Sequence, residues 1–307
     1  MSINGILISA LVLAILWSID LYVFQAVKTA ISGWDKNLAR QLIIWGYWVL
    51  SIGLPLSLVI GFVLADGPPR GNTLAGIISN LVITFFATKL TILLFVFGED
   101  IYRFGSYLVQ LITNSGNDNL VQMPSRRKFI SQAAIITAAI PFSSFLYGIT
   151  LGKYRYTIHR KTLYFNNLPD AFDGFTITQI SDVHSGSFDN KEAVKRGIDL
   201  INEQQSDLFV FTGDLVNDNA AEFDNYKDIF SQIKAPYGQY SILGNHDYSE
   251  YGNWSKEGAM QNRARIRQHH QDVGFNLMLN DSTYIEKDGQ RIALLGMENW
   301  GVGFSKY

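Results

Sequence analysis

Hydrophobic residues dominate the first half of the chain in long, nearly uncharged runs. A helix that crosses a bilayer core of about 30 Å needs about 20 apolar residues, because each residue adds about 1.5 Å. The runs that reach this length are Ile3–Ile19, Gln41–Ala65, Leu74–Phe97 and Phe129–Gly152. The alternative, buried core helices of a soluble protein, is disfavoured because these runs leave too little polar surface. We therefore predict a membrane domain over residues 1–152 with about four transmembrane helices.

Basic residues are unevenly distributed between these runs. The segments before the second and fourth runs hold most of them: Lys28, Lys36, Arg40, Arg103, Arg126, Arg127 and Lys128. The turn Asp66–Asn72 has only Arg70, and no basic residue precedes the first run. Because cytoplasmic loops carry the excess of Lys and Arg, we expect both basic segments to lie inside. Everything after Gly152 is then predicted to face the periplasm or the cell exterior.

Residues 125–130, Ser-Arg-Arg-Lys-Phe-Ile, also resemble a twin-arginine export signal followed by an apolar run. The other interpretation is an ordinary positive-inside anchor, and both send the following domain outward.

Asp20 and Lys89 are ionisable residues at or near membrane depth. Such residues often mark transport pathways. We interpret this pair as structural, with Lys89 snorkelling towards the interface and Asp20 near a helix end.

After residue 152 the pattern changes to short strand-like runs that alternate with helix-periodic segments. The predicted strands are Tyr154–Phe165, Phe175–Ile180, Leu208–Phe211, Tyr240–Leu243 and Ile292–Met297, and the predicted helices are Lys191–Gln205 and Phe223–Ile233. His269 and His270 lie in a basic stretch that is predicted to be a solvated helix surface rather than a metal site. The alternation predicts a largely parallel α/β domain over residues 153–307.

The net charge and the absence of cysteine exclude several kinds of partner and functional site. The formal net charge of −2 does not provide the basic face that nucleic acid requires, so no nucleic-acid partner is expected. The chain has no cysteine, which excludes disulfides, thiolate metal ligands and a cysteine nucleophile. A metal site in this chain must therefore use His, Asp, Glu or Asn side chains.

Polar clusters follow successive predicted strands. They are Asp182-Val183-His184, Gly213-Asp214 and Gly244-Asn245-His246-Asp247. Open α/β sheets bind ligands beyond the carboxyl ends of their strands, and these oxygen and nitrogen donors suit borderline divalent metals. Each cluster alone reads equally well as a turn or helix cap, but three in this order favour a metal site. The neighbouring Asn217 and Asp218 are interpreted as loop residues or as supports of the ligands.

These clusters resemble the first three motifs of the calcineurin-like metallophosphoesterase superfamily, in its membrane-anchored bacterial branch. The resemblance covers roughly Tyr154–Trp300. It implies a two-sheet αββα sandwich and two divalent metal ions, with Mn, Fe or Zn as candidates. It also implies hydrolysis of a phosphomonoester or phosphodiester by a metal-bridging hydroxide.

The resemblance carries residue roles as well. The implied metal ligands are Asp182, His184, Asp214 and Asn245, with Asp214 bridging the two ions. His246 would protonate the leaving oxygen, and Asp247 would orient His246. An imidazole held by a carboxylate is a suitable general acid.

The family pattern continues with a lone His and a Gly-His-x-His motif, but no histidine follows His270. We therefore expect a fragment of a longer product, with the sandwich incomplete at its carboxyl end and a partial metal site. The alternative function is a catalytically inactive phosphoesterase-like binding or sensor module on a membrane protein. Location alone suggests the lipid bilayer as a partner, and a membrane lipid or envelope precursor as the phosphoester substrate.

Overall fold

The computed structural model describes residues 3–35, 38–64, 74–113 and 124–300. These residues form two compact units, one ending at Lys153 and the other beginning at Tyr154. The predicted turn Asp66–Asn72 lies outside the described residues.

The first unit is built from long helices. They are α1 (Ile3–Ala30), α2 (Leu38–Leu64), α3 (Leu74–Thr113) and α4 (Pro124–Thr150). Within the described part, the stretches Leu38–Gly61, Gly76–Thr113 and Ser125–Thr150 are long and apolar enough to cross a membrane. The predicted first run, Ile3–Ile19, lies in α1, where most of its side chains are outside the described part.

Asp20 and Lys89 form an ion pair inside this unit. The Nζ atom of Lys89 lies 2.5 Å from Oδ1 of Asp20, and Lys89 is only 7% exposed. The hydroxyl of Tyr47 donates to the backbone carbonyl of Asp20 at 2.7 Å. Lys89 therefore does not snorkel as predicted, because a buried ammonium is stabilised better by a carboxylate on a neighbouring helix. This pairing supports the structural interpretation of the two residues.

The second unit contains a parallel sheet of four strands. They are β1 (Ile177–Ile180), β2 (Leu208–Phe211), β3 (Gln239–Ser241) and β4 (Asn276–Leu277), hydrogen-bonded in that order. The connections carry α5 (Lys191–Glu203), α6 (Lys227–Phe230) and α7 (Lys256–Asp272). Three of the four residues of β2 are buried and Val210 is partly buried, as expected for a strand covered on both faces.

A second sheet consists of the antiparallel strands β5 (Asp281–Lys287) and β6 (Gln290–Gly296). Asp288 and Gly289 connect them, with φ angles of 49° and 75°. A two-residue turn of this hand favours Asp-Gly. The predicted fold class, amino-terminal apolar helices followed by an α/β domain with two sheets, is confirmed.

Two predicted elements are wrong. Residues 155–165 have no regular secondary structure, because a strand needs a hydrogen-bonded neighbour and none of the described strands pairs with them. The predicted helix Phe223–Ile233 is instead a 3-10 helix, Ala220–Tyr226, followed by the single turn of α6. Asn219 and Glu222 form a capping box that starts this helix earlier than predicted.

The prediction of a solvated surface for His269 and His270 is also wrong. Their exposed fractions are 1% and 0%. The buried residues of α7 are Asn262, Ile266, His269 and His270. This spacing places them on one helix face, which packs towards the core. The hydrophobic pattern missed the face because most of its residues are polar.

Candidate metal centre

The carboxyl ends of β1, β2 and β3 meet at one edge of the parallel sheet. Ile180 pairs with Phe211, and Phe211 pairs with Ser241, so the residues that follow all three strands emerge side by side. Backbone hydrogen bonds continue past the strands, from Asp182 N to Gly213 O at 3.0 Å. The polar clusters predicted at separate strand ends are therefore brought together.

Three ligand-type side chains converge at this edge. His184, Asp214 and His246 each offer a donor atom, and these atoms lie within 4.8 Å of one another. The Nε2 atom of His184 is 3.7 Å from Oδ2 of Asp214 and 3.9 Å from Oδ1 of Asp182. Two donors on one ion at about 2.1 Å each lie at most about 4.2 Å apart. His184 meets that limit with Asp214 and with Asp182, so these donor pairs fit a divalent cation.

The backbone at the candidate ligands is strained. Asp182, His184 and Asp214 have φ angles of 54°, 44° and 59°. Residues with side chains adopt this left-handed region infrequently, and such strain concentrates at functional sites. The strained backbone therefore supports the assignment of these residues to a site.

One of the two carboxylate oxygens of Asp214 is held by a hydrogen bond. Its side chain is 9% exposed, and Oδ1 accepts a hydrogen bond from the backbone N–H of His246 at 2.8 Å. The other oxygen, Oδ2, is the one near His184. A carboxylate divided in this way ties two motifs together and still presents an oxygen to a cation.

The ring of His246 has a defined tautomer. Its Nδ1 atom lies 2.6 Å from the backbone carbonyl oxygen of Asn217. A carbonyl only accepts, so Nδ1 carries the proton and Nε2 is left for a cation or a reacting group. The ring centroid lies 4.6 Å from that of His184, edge to face, and 4.3 Å from that of Tyr251, stacked.

Asp247 does not orient His246 as the family resemblance implied. Its carboxylate instead accepts from the backbone N–H groups of Asp214, Leu215 and Gly244 at 2.8, 2.9 and 3.0 Å. The side chain is fully buried, and burial raises the pKa of Asp247 to about 7 although the backbone amides oppose this shift. Asp247 therefore fastens the second and third motif loops to each other.

Asn245 and Asn217 contribute through contacts that the sequence pattern did not reveal. The Nδ2 atom of Asn245 donates to the hydroxyl of Tyr251 at 2.8 Å, which leaves its carbonyl oxygen for a cation. Asn217 acts on His246 through its backbone carbonyl. Backbone contacts carry no side-chain signal, and Tyr251 lies in a polar loop without periodicity.

Gly213 and Gly244 allow these loops to approach closely. Gly213 has a φ of 99°, and a Cβ atom there would lie 2.1 Å from the backbone nitrogen of Gly244. A Cβ atom at Gly244 would lie 2.3 Å from Oδ1 of Asp214. Both glycines are therefore required by the contact itself.

Known protein families match both units of the chain. Residues 4–153 match the family described as "Probable Calcineurin-like phosphoesterase, transmembrane domain", and residues 175–301 match the calcineurin-like phosphoesterases. The chain is a member of the calcineurin-like metallophosphoesterases. The predicted recognition is therefore confirmed, including the membrane domain that precedes the phosphoesterase domain.

Curated relatives of this calcineurin-like metallophosphoesterase come from bacteria and animals. The uncharacterized metallophosphoesterase YkuE of Bacillus subtilis is 33% identical over 144 residues, 46% of each chain. A transmembrane protein with metallophosphoesterase domain of Danio rerio is 26% identical over 209 residues, 66% of this chain and 44% of the relative.

The UDP-2,3-diacylglucosamine pyrophosphatase LpxG of Chlamydia trachomatis is 36% identical over 89 residues, 28% of this chain and 27% of the relative. The matched regions thus span less than half the length of each of these relatives. No solved structure matches the chain significantly.

Proposed function

We propose that the chain acts in a membrane-anchored, metal-dependent phosphohydrolase that cleaves a phosphomonoester or a phosphodiester. The observation that carries this proposal is the convergence of His184, Asp214 and His246 within 4.8 Å at the carboxyl edge of the parallel sheet. Membership of the calcineurin-like phosphoesterases supports the same reaction class.

The proposed metal ligands are Asp182, His184, Asp214 and Asn245, with Asp214 shared between two divalent ions. When bound, Mn, Fe or Zn ions would activate a water molecule and stabilise negative charge on the phosphate oxygens. The nearly buried carboxylate of Asp214 would compensate part of their charge. Carboxylate, imidazole and amide donors suit such ions.

His246 is the proposed proton donor to the leaving oxygen. Its Nδ1 proton is engaged by the carbonyl of Asn217, so Nε2 is the atom that holds and delivers the transferred proton. A fixed tautomer keeps that atom directed to one place during the reaction. Asp247 supports this role indirectly, by holding the loops that carry Asp214 and His246.

The proposed substrate class is a phosphoester of a membrane lipid or an envelope precursor. One relative, LpxG, is named for pyrophosphatase activity on a diacylglucosamine nucleotide, which is a lipid-related substrate. Membrane helices in the same chain bring the domain to lipid-linked molecules. The Lys and Arg distribution favours a domain outside the cytoplasm. The bacterial relatives favour the inner membrane of a bacterium as its place.

Two substitutions test the division between metal binding and proton transfer. Asp214→Asn removes the charge shared by the ions, so bound Mn²⁺ and turnover of an aryl phosphodiester should both collapse, the latter by several powers of ten. His246→Gln should keep the Mn²⁺ while turnover falls by about 10²–10⁴-fold. The loss should be smaller for an aryl than for an alkyl leaving group, which needs more protonation.

Asp173→Asn is the matched control, because Asp173 is an exposed carboxylate outside the cluster. It should leave both measurements unchanged. If His246→Gln strips the metal as completely as Asp214→Asn, His246 is a ligand and not the acid. Mn²⁺ binding without hydrolysis by the unsubstituted protein would favour the inactive binding module.

A further inference from the structure

Tyr251 contacts two of the proposed site residues at once. Its ring stacks on that of His246, with centroids 4.3 Å apart and an interplanar angle of 14°. Its hydroxyl accepts a hydrogen bond from Nδ2 of Asn245 at 2.8 Å. Tyr251 is itself 51% exposed, so it belongs to the rim of the site and not to the hydrophobic core.

The contact with Asn245 bears on cation binding. An asparagine can bind a metal ion only through its carbonyl oxygen, since the NH₂ group has no lone pair to offer. With Nδ2 held by the phenol, the amide is anchored at one end and the oxygen is left at the other. Partners that orient a ligand in this way typically change metal affinity by about 10–100-fold when they are removed.

The contact with His246 bears on proton delivery. The hydrogen bond from Nδ1 to the carbonyl of Asn217 holds one corner of the imidazole, but a single bond leaves the ring free to tilt. The phenol ring covers one face of the imidazole, and His184 meets it at 4.6 Å with an interplanar angle of 86°. The two ring contacts together restrict the tilt, and with it the position of Nε2.

We propose that Tyr251 is a positioning residue that serves both halves of the site, Asn245 through its hydroxyl and His246 through its ring. The inference rests on the proposed function. It assigns separable effects to the two parts of one side chain. The hydroxyl sets the affinity for the cation that Asn245 binds, and the ring sets the rate of the step that uses His246.

Two variants of Tyr251 separate these effects. Tyr251→Phe removes the hydroxyl and keeps the ring, so the dissociation constant for Mn²⁺, measured by calorimetry, should rise by about 10-fold. At saturating Mn²⁺ its kcat should remain within about 2-fold of the unsubstituted protein. Tyr251→Leu removes both parts, so it should show the same loss of Mn²⁺ affinity and also a kcat lower by about 10-fold, with KM little changed.

Tyr164 provides the matched control, because it is a tyrosine with a 90% exposed side chain outside the site. Tyr164→Phe and Tyr164→Leu should change neither Mn²⁺ affinity nor kcat. Thermal unfolding of each variant identifies any change that comes from misfolding. The exposed position of Tyr251 predicts a midpoint close to that of the unsubstituted protein.

The outcomes distinguish this inference from the proposed function. If the unsubstituted protein binds no Mn²⁺, the proposed function fails. If it binds Mn²⁺ and Tyr251→Phe binds it equally well, the role of the hydroxyl is overturned. If Tyr251→Leu has the same kcat as Tyr251→Phe at saturating Mn²⁺, the role of the ring is overturned.

Discussion

His270 lies on the inner face of α7, between aromatic rings. Its ring centroid is 5.7 Å from that of Phe211 and 6.4 Å from that of Phe275, and Nδ1 lies 2.9 Å from Oγ of Ser241. Nε2 has no hydrogen-bond partner among the residues that the structure describes. Burial lowers the pKa of His270 to about 3, because a charged imidazole cannot be solvated there.

Because His270 is buried in its neutral form, we expect the stability of the phosphoesterase domain to decrease in acid. In the unfolded chain His270 has a pKa of about 6.5, so the unfolded state binds the proton first as the pH falls. The His270 contribution to stability is therefore complete above about pH 6.5 and decreases below it, by about 2 kcal/mol at about pH 5. The thermal unfolding midpoint should fall accordingly, and His270→Asn should show a smaller fall.

The comparison of the unsubstituted protein with His270→Asn separates the effect of His270 from that of Asp247, because the contribution of Asp247 to stability changes with pH in the opposite direction. Burial raises the pKa of Asp247 to about 7, so its contribution increases as the pH falls. An equal loss of stability on acidification in the unsubstituted protein and His270→Asn would contradict the assignment to His270.

The loops after β2 and β3 are held to each other by direct contacts. The carboxylate of Asp247 accepts hydrogen bonds from both loops, and Gly213 and Gly244 remove the side chains that would hold the loops apart. Asp214 lies where the two loops touch. The position of this candidate bridging ligand therefore depends on the contact between the loops.

Gly213→Ala tests the dependence of the site on this loop contact. The added Cβ atom would overlap the backbone nitrogen of Gly244, which cannot rotate away, and the residue would be held at a φ of 99°. We expect a fall in stability of more than about 2 kcal/mol and the loss of Mn²⁺ binding through displacement of Asp214.

Gly174→Ala supplies the control, because Gly174 has a φ of 75° but no atom within 4 Å of an added Cβ. It should cost about 1 kcal/mol in thermal unfolding and leave Mn²⁺ binding intact. Equal losses in the two variants would show that backbone strain alone, rather than the loop contact, limits the site.

The molecule as a whole combines a helical membrane domain with a phosphoesterase domain in one chain. The helices hold charged residues in pairs, such as the buried Lys89 with Asp20 at 2.5 Å and the partly exposed Arg126 with the buried Glu99 at 3.1 Å. Paired charges lower the cost of placing ionised groups inside such a bundle. We propose that the Lys and Arg residues between the apolar runs set the orientation of this domain in the membrane.

This orientation predicts where reporters fused to the chain are active. A reporter that functions only outside the cytoplasm should be active after Lys153 and silent after Thr113. A cytoplasmic reporter at the same two positions serves as the control and should give the reverse result. Activity of the first reporter at Thr113 but not at Lys153 would place the phosphoesterase domain in the cytoplasm.

The strand-end motifs show how much of the site can be predicted from the sequence. Asp182, His184 and Asp214 were identified because each follows a short apolar strand, and the carboxyl ends of parallel strands meet at one edge. The length of the apolar runs likewise predicted the membrane helices. Both inferences depend on local patterns and on geometry that all parallel sheets and bilayers share.

Partners that are distant in sequence were decided only by the tertiary structure. The ring of His246 is hydrogen-bonded to a backbone carbonyl 29 residues earlier in the chain. The ring of His270 is hydrogen-bonded to a hydroxyl at the same separation. The carboxylate of Asp247 is likewise engaged by amides 32 and 33 residues away. Hydrophobic periodicity gives no signal for such contacts, because backbone groups are the same in every residue and a buried histidine resembles an exposed one in sequence. The sequence by itself therefore identified the strand-end residues that come together at this edge, because their positions follow from local patterns. The packing of the loops decided what each of them contacts there and brought in Tyr251, for which the sequence carried no signal.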